Sequence, residues 1–432
     1  MVNASVNIWN QFIGALYWDE TTETGSFEFD ESFIKKGLDL SPIRMPLEEL
    51  QRGNRIFSFS GLSKQTYHGL PGLLADSLPD KFGNELINAW LARQGRTPES
   101  MNPLERLCYI GKRGMGALEF EPASSGATDT SITIEIDELV RLAKDAINQK
   151  KGLAANMDDK DGLINIIRVG TSAGGARAKA VIAYNEKTEE VRSGQLDVPS
   201  GFTHWLIKLD GVTNDKLGDP EGYGRIEFAY YKMAIACGID MMESKLKEEH
   251  GRAHFMTKRF DRVSGNEKLH MQTLCGMAHY DYNQPTTYSY EQAFQVMRDL
   301  RLDHADAEQL FRRMVFNVIS RNNDDHTKNV SFLMDSSGNW KLSPAYDVTY
   351  AFDPSNIWLA QHNLSVNGKR KDISKDDILA IAKEISVKRG KDIIKEIAGI
   401  VEKWPVFANE AGIPAKQTES LGNTHLTRIA SP

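Results

Sequence analysis

A polar segment in the C-terminal half of the chain carries residue types suited to phosphoryl transfer. In RNNDDHTKNVSFL, residues 321–333, Asp324 and Asn329 are separated by four residues. A carboxylate can take the proton of an attacking hydroxyl group, and an amide oxygen can hold a magnesium ion beside the transferred phosphoryl group. The spacing lets the chain turn between the two side chains, so that they can approach the phosphoryl group from two sides.

A second carboxylate follows at the position that such a site requires. The catalytic loop of protein kinases has the D-x-x-x-x-N spacing and works with a metal-binding aspartate further along the chain. Here VSFLM, the turn DSSGN and WKL predict a hairpin, which SPAYD with Asp347 follows. The spacing alone arises by chance in many chains, so the hypothesis depends on Asp324, Asn329 and Asp347 together. His326 and Lys328 are candidate phosphate contacts or solvated loop charges.

A lysine in an apolar strand is the candidate for binding the α and β phosphates of a nucleotide. Lys208 lies in WLIKL, and an ammonium group in such surroundings needs a partner or a ligand because burying an unpaired charge is costly. Glu227, nineteen residues later in a predicted helix, is the candidate partner, since kinases hold this lysine with a helix glutamate. A lysine on an edge strand, with its head in water, is the alternative.

A loop of small residues lies between two predicted strands upstream of this lysine. In GTSAGGARAK, residues 170–179, the glycines and alanines let backbone amides approach an anion closely, and Ser172 or Thr171 can donate a hydrogen bond. A plain hairpin turn is the alternative interpretation. The order of loop, lysine, helix glutamate, D-x-x-x-x-N and aspartate is nevertheless the order of these parts in a kinase.

The elements that would position these residues change along the chain from mixed α and β to mainly α. Apolar spacing and turn residues predict a small N-terminal sheet, and the small polar segment 123–130 predicts a domain boundary. Helices are predicted at 79–95, 133–148, 225–238, 306–321 and after Ser374, and strands at 164–169, 180–184, 203–209 and 253–262.

Composition excludes several classes of protein. The 432 residues are 41% hydrophobic and 26% charged, as in soluble globular proteins, and three scattered cysteines suit a reducing compartment. The 59 acidic and 52 basic residues leave a net charge of −7, which disfavours autonomous DNA binding. Neither a signal peptide nor an apolar span is found, so we expect a cytoplasmic protein without a membrane partner. The motifs of P-loop enzymes, Rossmann dehydrogenases, zincins and α/β-hydrolases are absent from the sequence.

Taken together, these segments resemble the HipA family, the serine/threonine kinases of bacterial toxin–antitoxin pairs. The resemblance covers nearly the whole chain: GLPGLLADSLPDKFG and LCYIGKRGMGALEFEP come first, followed by SAGGARAK, LIKL, KRFDR, MQTLCGM, DDHTKN and SPAYD. It implies an α+β, protein-kinase-like two-lobed fold. The expected parts are an N-terminal mixed α/β domain at 1–122, a nucleotide-binding small-lobe region at 131–280 and a mainly helical C-terminal lobe with the catalytic loop at 281–432.

The resemblance also implies a role for each matching residue. Asp324 would be the catalytic base, Asn329 and Asp347 the magnesium ligands, and Ser172 the site of autophosphorylation, with Thr171 as the alternative. Glu227 would form a structural ion pair with the phosphate-binding lysine. The residues expected to contact ATP are Ser172, Ala173, Gly174, Gly175, Ala176, Lys208, Lys258, Arg259, Phe260, His326 and Lys328, where Lys258–Phe260 would be the hinge whose main chain meets the adenine.

The function implied is that of a toxin kinase that uses ATP and Mg²⁺. Its expected target is a protein, an aminoacyl-tRNA synthetase in the family, and its own loop serine. Its expected partner is a small helix-turn-helix, HipB-like antitoxin, which would connect it to operator DNA. Two alternatives stay open at this point: a kinase-like co-repressor with weak catalysis, and a small-molecule phosphotransferase of the aminoglycoside-kinase type.

Overall fold

The chain divides into two compact units in a computed structural model. The structure describes residues 3–122, 133–150, 170, 177–194, 197–212, 222–263 and 266–430. The first unit comprises Met1–Leu38, Leu47–Gly224 and Ser244–Met271, and the second comprises Asp39–Pro46, Arg225–Glu243 and Gln272–Pro432. Among the described helices, none is both long enough and apolar enough to span a membrane.

An antiparallel sheet of five strands begins the first unit, as the alternating N-terminal pattern predicts. Its order is β4-β3-β2-β1-β5, and its strands are β1 (Asn3–Ile8), β2 (Gln11–Asp19), β3 (Thr24–Phe29), β4 (Ile56–Ser58) and β5 (Leu118–Glu121). Trp9 and Asn10, both at positive φ, form the two-residue turn between β1 and β2. Such a turn matches the right-handed twist of the paired strands.

Six helices lie between the strands of this sheet along the chain: α1 (Glu31–Ile34), α2 (Leu47–Gln51), α3 (Lys64–Tyr67), α4 (Gly72–Ala75), α5 (Lys81–Arg93) and α6 (Pro103–Ile110). The side chain of Asp80 accepts a hydrogen bond from Gly83 N and so begins α5. Asn102 and Glu105 form a reciprocal capping box at the start of α6. The helix predicted at 79–95 is therefore confirmed, with its ends fixed by an N-cap at Asp80 and by Gly95.

A second antiparallel sheet follows a seventh helix, α7 (Ile136–Lys150). The order of the strands is β7-β6-β8-β10-β9, and they are β6 (Lys179–Tyr184), β7 (Val191–Ser193), β8 (Thr203–Lys208), β9 (Ser244–Glu249) and β10 (Arg252–Lys258). The strand predicted at 253–262 is wrong at its C-terminal end, since β10 stops at Lys258. The residues beyond it leave the sheet because Arg259, Asp261 and Arg262 form a buried ionic cluster.

Helices α5 and α7 share one hydrophobic core with the second sheet. Phe82 and Leu86 of α5, Leu139 of α7, and Trp205 and Ile207 of β8 are all buried in it. Full burial of such side chains contributes about 1.5–3 kcal/mol each. Helix α5 belongs to the predicted domain 1–122 and β8 to the predicted region 131–280, so these two regions share a core. The predicted three-part division stays a prediction, and the proposed linker and strand 164–169 lie outside the described residues.

The second unit is mainly helical, as predicted. Its described helices are α8 (Tyr223–Ala236), which begins at the division, α9 (Leu274–Ala278), α10 (Tyr290–Asp299), α11 (His304–Ser320), α12 (Lys375–Glu384), α13 (Gly390–Val401), α14 (Trp404–Glu410) and α15 (Ala415–Gly422). Ser374 and Asp377 form a capping box at the start of α12, which confirms the helix predicted after Ser374. Gly238, at a φ of 70°, follows the end of α8, where glycine is the residue that tolerates a left-handed conformation.

A hairpin follows α11 in this unit. It consists of β12 (Ser331–Met334) and β13 (Trp340–Leu342), which confirms the hairpin predicted from VSFLM, DSSGN and WKL. The Asp335 side chain accepts hydrogen bonds from the backbone of Ser337 and Asn339 and so fixes the turn. A further short strand, β11 (His270–Thr273), lies where the two units divide.

Candidate active site

The proposed catalytic loop connects α11 to β12 in the second unit. Helix α11 ends at Ser320, and the next residue, Arg321, has a φ of 64° and turns the chain out of the helix. The Asn329 side-chain amide donates a 2.7 Å hydrogen bond to the backbone oxygen of Asp324. This bond closes the loop between the two residues of the D-x-x-x-x-N motif. The Asp324 carboxylate itself faces solvent, with 46% of its side chain exposed.

Asp347 follows the hairpin in an uncommon backbone conformation. Its φ is 53°, in the left-handed region that aspartate and asparagine tolerate better than most residues. The neighbouring Tyr346 hydroxyl donates a 2.6 Å hydrogen bond to the backbone oxygen of Lys328 in the catalytic loop. That bond connects Tyr346, which precedes Asp347, to Lys328, which precedes Asn329.

Asn329, Asp347 and Asp325 line one small cavity in the second unit, with a volume of about 30 Å³. Oxygen donors of this kind fit Mg²⁺, which is held through one or two carboxylates while phosphate and water oxygens complete its shell. Among the described residues, His, Cys, Asp and Glu side chains do not form a cluster of three suited to a metal. Asn329 and Asp347 are residue types that can hold magnesium together with phosphate oxygens, and their role as magnesium ligands stays a prediction.

The other predicted loop contacts flank a tyrosine ring. His326 Nε2 lies 3.8 Å from Asp324 Oδ1, and the His326 ring lies 5.6 Å from the ring of Tyr282. The Lys328 ammonium group lies 4.7 Å from the centre of the same tyrosine ring. Both side chains are only partly buried, so either can turn towards an anion.

Asp325 is a site residue that the sequence analysis missed. Its side chain is 2% exposed, and its carboxylate accepts hydrogen bonds from the Tyr290 hydroxyl (2.9 Å), from His362 Nδ1 (2.9 Å) and from the backbone N–H of Asn363 (2.7 Å). Burial raises the pKa of Tyr290 well above its usual value, and the charge of Asp325 raises it further. The tyrosine therefore stays protonated as a donor. In the sequence Asp325 is visible only as the second aspartate of DDH, and the spacing of nearby residues does not reveal that its side chain is buried.

Lys208, the predicted phosphate-binding lysine, ends strand β8 in the first unit. It lies directly opposite Lys179 on β6 and Phe255 on β10, and its ammonium group lies 5.9 Å from the Phe255 ring centre. The opposite lysine is buried in an ion pair with Asp80, at 3.4 Å. Like charges directly opposite on neighbouring strands repel, so this carboxylate offsets part of the local positive charge.

The predicted hinge lies at the end of β10 in the same unit. Lys258 is the last residue of that strand, paired with Trp205, and Arg259 is buried against Asp261 at 2.6 Å. Although burial alone would raise the pKa of Asp261, Arg259 and Arg262 hold it well below its usual range. Both guanidinium groups also donate to the backbone oxygen of Gly114, so the end of the hinge is fixed to the segment before β5.

The roles of all the predicted site residues stay predictions, including those of the small-residue loop and of Glu227. Ser172, Ala173, Gly174, Gly175 and Ala176, with the alternative Thr171, lie outside the described residues. Glu227 is buried in α8, in the second unit. Its expected partner Lys208 lies in the first unit, and the ion pair between them remains a prediction.

An α+β chain whose helical unit presents Asp324, Asn329 and Asp347 on one loop system belongs to the kinase-like class of folds. Two family models match the sequence: the HipA N-terminal domain at residues 4–121 and the HipA-like C-terminal domain at residues 171–404. The chain therefore belongs to the HipA family.

Relatives and solved structures agree with this assignment. The chain is 27% identical over 308 residues to "Putative kinase Y4dM" of Sinorhizobium fredii, covering 66% of this chain and 71% of that protein. A "Putative kinase" of Haemophilus influenzae is 27% identical over 134 residues, 39% of its length. HipA of Shewanella oneidensis, solved with HipB and operator DNA, has a TM-score of 0.65 at 18% identity and covers 99% of this chain and 96% of that chain. The structural similarity establishes the shared fold.

Proposed function

We propose that this protein is a toxin serine/threonine-protein kinase that transfers the γ-phosphate of ATP to a protein. The observation that carries the proposal is the arrangement of the loop. The half-exposed Asp324 carboxylate lies on the same loop as Asn329, which lines a small cavity together with Asp347, and the Asn329 side chain fixes the backbone of Asp324. These are the residue types that phosphoryl transfer to a hydroxyl group requires.

In the proposed reaction, the Asp324 carboxylate accepts the proton of the acceptor hydroxyl group as its oxygen attacks the phosphoryl group. Asn329 and Asp347 would hold Mg²⁺, which when bound neutralises the charge of the phosphates. Lys208 would bind the α and β phosphates, and the main chain of Lys258–Phe260 would meet the adenine. Exposure of Asp324 suits a base that must reach a hydroxyl group on another molecule.

The proposed partners follow from the family. The Shewanella protein was solved with HipB and operator DNA, so we propose a small helix-turn-helix antitoxin that connects this chain to its operator. The proposed protein target is an aminoacyl-tRNA synthetase, and the proposed compartment is the cytoplasm.

Phosphoproteomics of cells that briefly express this chain tests the proposed function. The matched control is a chain with Asp324→Asn. We expect one or a few serine or threonine sites to gain phosphate in the first sample alone. No difference between the samples, with antitoxin binding retained, would instead support the co-repressor alternative.

Lys208 gives a prediction for nucleotide affinity. A hydrogen bond to a charged group contributes about 1.5–3 kcal/mol, so Lys208→Ala should weaken MgATP binding about 10- to 100-fold. Titration calorimetry of the purified chain measures this change. Lys247→Ala is the matched control, because Lys247 lies on β9 of the same sheet and pairs with the exposed Glu189. Equal affinities of the two variants would place the phosphate site elsewhere.

Ser172 gives a prediction for autoregulation. A phosphoserine adds about −1.5 to −2 charges, and such a charge in a loop that cradles phosphates should repel ATP. Intact-mass spectrometry should find one added phosphate on the parent chain and none on Asp324→Asn, and the phosphorylated form should bind MgATP weakly in calorimetry. Ser172→Ala distinguishes this site from Thr171. ATP affinity that does not change on phosphorylation would contradict the switch.

A further inference from the structure

We propose that Asp325, the residue after the proposed base, is a positioning residue for phosphoryl transfer. This inference rests on the proposed function and extends it to a residue for which the D-x-x-x-x-N motif gives no role. Asp324 and Asp325 are adjacent but lie in opposite environments, since their side chains are 46% and 2% exposed. One carboxylate is available for chemistry, and the other is part of the interior of the second unit.

The buried carboxylate joins the catalytic loop to two other parts of the second unit. Its Oδ2 accepts hydrogen bonds from the hydroxyl of Tyr290, the first residue of α10, and from His362 Nδ1, while Oδ1 accepts from the backbone of Asn363. Tyr290 is itself fixed, because its oxygen accepts a 3.0 Å hydrogen bond from the Asn317 side chain in α11. The Asp325 carboxylate is therefore fixed by three donors, from Tyr290, His362 and Asn363.

The residue on the other side of the base makes a second set of bonds to the same region. The backbone N–H of Asn323 donates to Ala351 O at 3.1 Å, and its side chain donates to Leu359 O at 2.8 Å. The Asn363 side chain donates in return to Asn323 O at 2.8 Å. Residues 323 and 325 thus anchor the loop on both sides of Asp324 to the segment 351–363, which follows Asp347.

This anchoring has a consequence for the reaction. Asp324 would supply the base and Asp347 a magnesium ligand, and the segment 351–363 is the continuation of the chain beyond Asp347. Bonds from that segment to both neighbours of Asp324 fix the base relative to the metal ligand. A displacement of about 1 Å in such a site can lower a rate about 100-fold, so loss of the anchor should affect the chemical step.

Asp325→Asn is the informative substitution. It keeps the shape of the side chain and the acceptor for Asn363 N–H, but it lacks the charge and presents an amide N–H₂ where Oδ2 accepts from both Tyr290 and His362. Both hydrogen bonds would then have to reverse, with the Tyr290 oxygen and a different tautomer of His362 as the acceptors, and the negative charge that attracts both groups is lost. The loop loses part of its anchorage without creating a cavity.

The test compares parent, Asp325→Asn and Asp377→Asn. Asp377 is the matched control, a carboxylate of the same unit that is also buried and hydrogen-bonded, to Lys369, Ser374 and Asn367, and that lies outside the site. The readout is total MgATP turnover, counted as phosphate released plus phosphate incorporated. For Asp325→Asn we expect kcat to fall about 10- to 100-fold and KM for MgATP to change less than about threefold. Asp377→Asn should keep both constants even though it loses stability.

The outcomes distinguish the positioning role of Asp325 from the proposed kinase function. An active parent whose kcat is unchanged by Asp325→Asn, or lowered equally by Asp377→Asn, overturns the positioning role and leaves the proposed function intact. A parent that neither binds nor turns over MgATP overturns both. If Asp325→Asn does not fold, Tyr290→Phe decides, because it leaves the Asp325 carboxylate in place and removes one of its three donors, together with the acceptor of the Asn317 amide. A severalfold lower kcat at constant KM supports the role, and a parent-like kcat overturns it.

Discussion

Replacement of Asp324 by asparagine is expected to lower phosphoryl transfer from MgATP about 100- to 10,000-fold, the usual contribution of a general base. An amide of nearly the same shape cannot accept the proton of the attacking hydroxyl group. The measurement is incorporation of labelled phosphate from MgATP, under conditions where the parent gives a linear time course.

The fold should survive this change. Asn329 bonds to the backbone oxygen of Asp324 and not to its side chain, so the substitution leaves that bond in place. Substitution of an exposed side chain typically changes the free energy of unfolding by less than about 0.5 kcal/mol. Asp392→Asn is the matched control, since Asp392 is an exposed aspartate in the first turn of α13. Near-normal transfer by a folded Asp324→Asn chain would exclude Asp324 as the base.

Local signals made much of the second unit predictable. The turn DSSGN specified the hairpin because Asp335 can bond to the backbone of the residues that follow it. The capping box of Ser374 and Asp377 specified the start of α12. The loop with Asp324 and Asn329 could be placed between a helix and a strand for the same reason, since short-range chemistry decides where each element begins and ends.

Features that depend on distant residues were not predictable in this way. The strand expected to continue to Arg262 stops at Lys258 because Asp261 is buried between two arginines and accepts a 2.7 Å hydrogen bond from Gly116 N, far away in sequence. The different environments of Asp324 and Asp325 likewise depend on Tyr290 and on segment 351–363. Neither periodicity nor spacing contains that information, because both describe only nearby residues.

The backbone at Asp347 decides which substitution can test its role as a magnesium ligand. At a φ of 53°, most residues add backbone strain, whereas asparagine tolerates this conformation about as well as aspartate. Asp347→Asn therefore removes the charge without adding backbone strain. Asp372 supplies a matched control, since it also has a positive φ, of 52°, and is exposed in the same unit. Asp372→Asn repeats the change without touching the cavity lined by Asn329 and Asp347.

Asp347→Asn is expected to lower MgATP turnover on the order of 100-fold or more at a fixed, moderate magnesium concentration, because a metal ion contributes several kcal/mol to charge stabilisation. The amide keeps an oxygen ligand, so higher magnesium concentrations should restore part of the activity. Calorimetry should show that magnesium strengthens ATP binding by the parent and by Asp372→Asn, and much less by Asp347→Asn. If turnover by Asp347→Asn has the same magnesium dependence as turnover by Asp372→Asn, then Asp347 does not hold the metal, and the cavity beside Asn329 must serve another purpose.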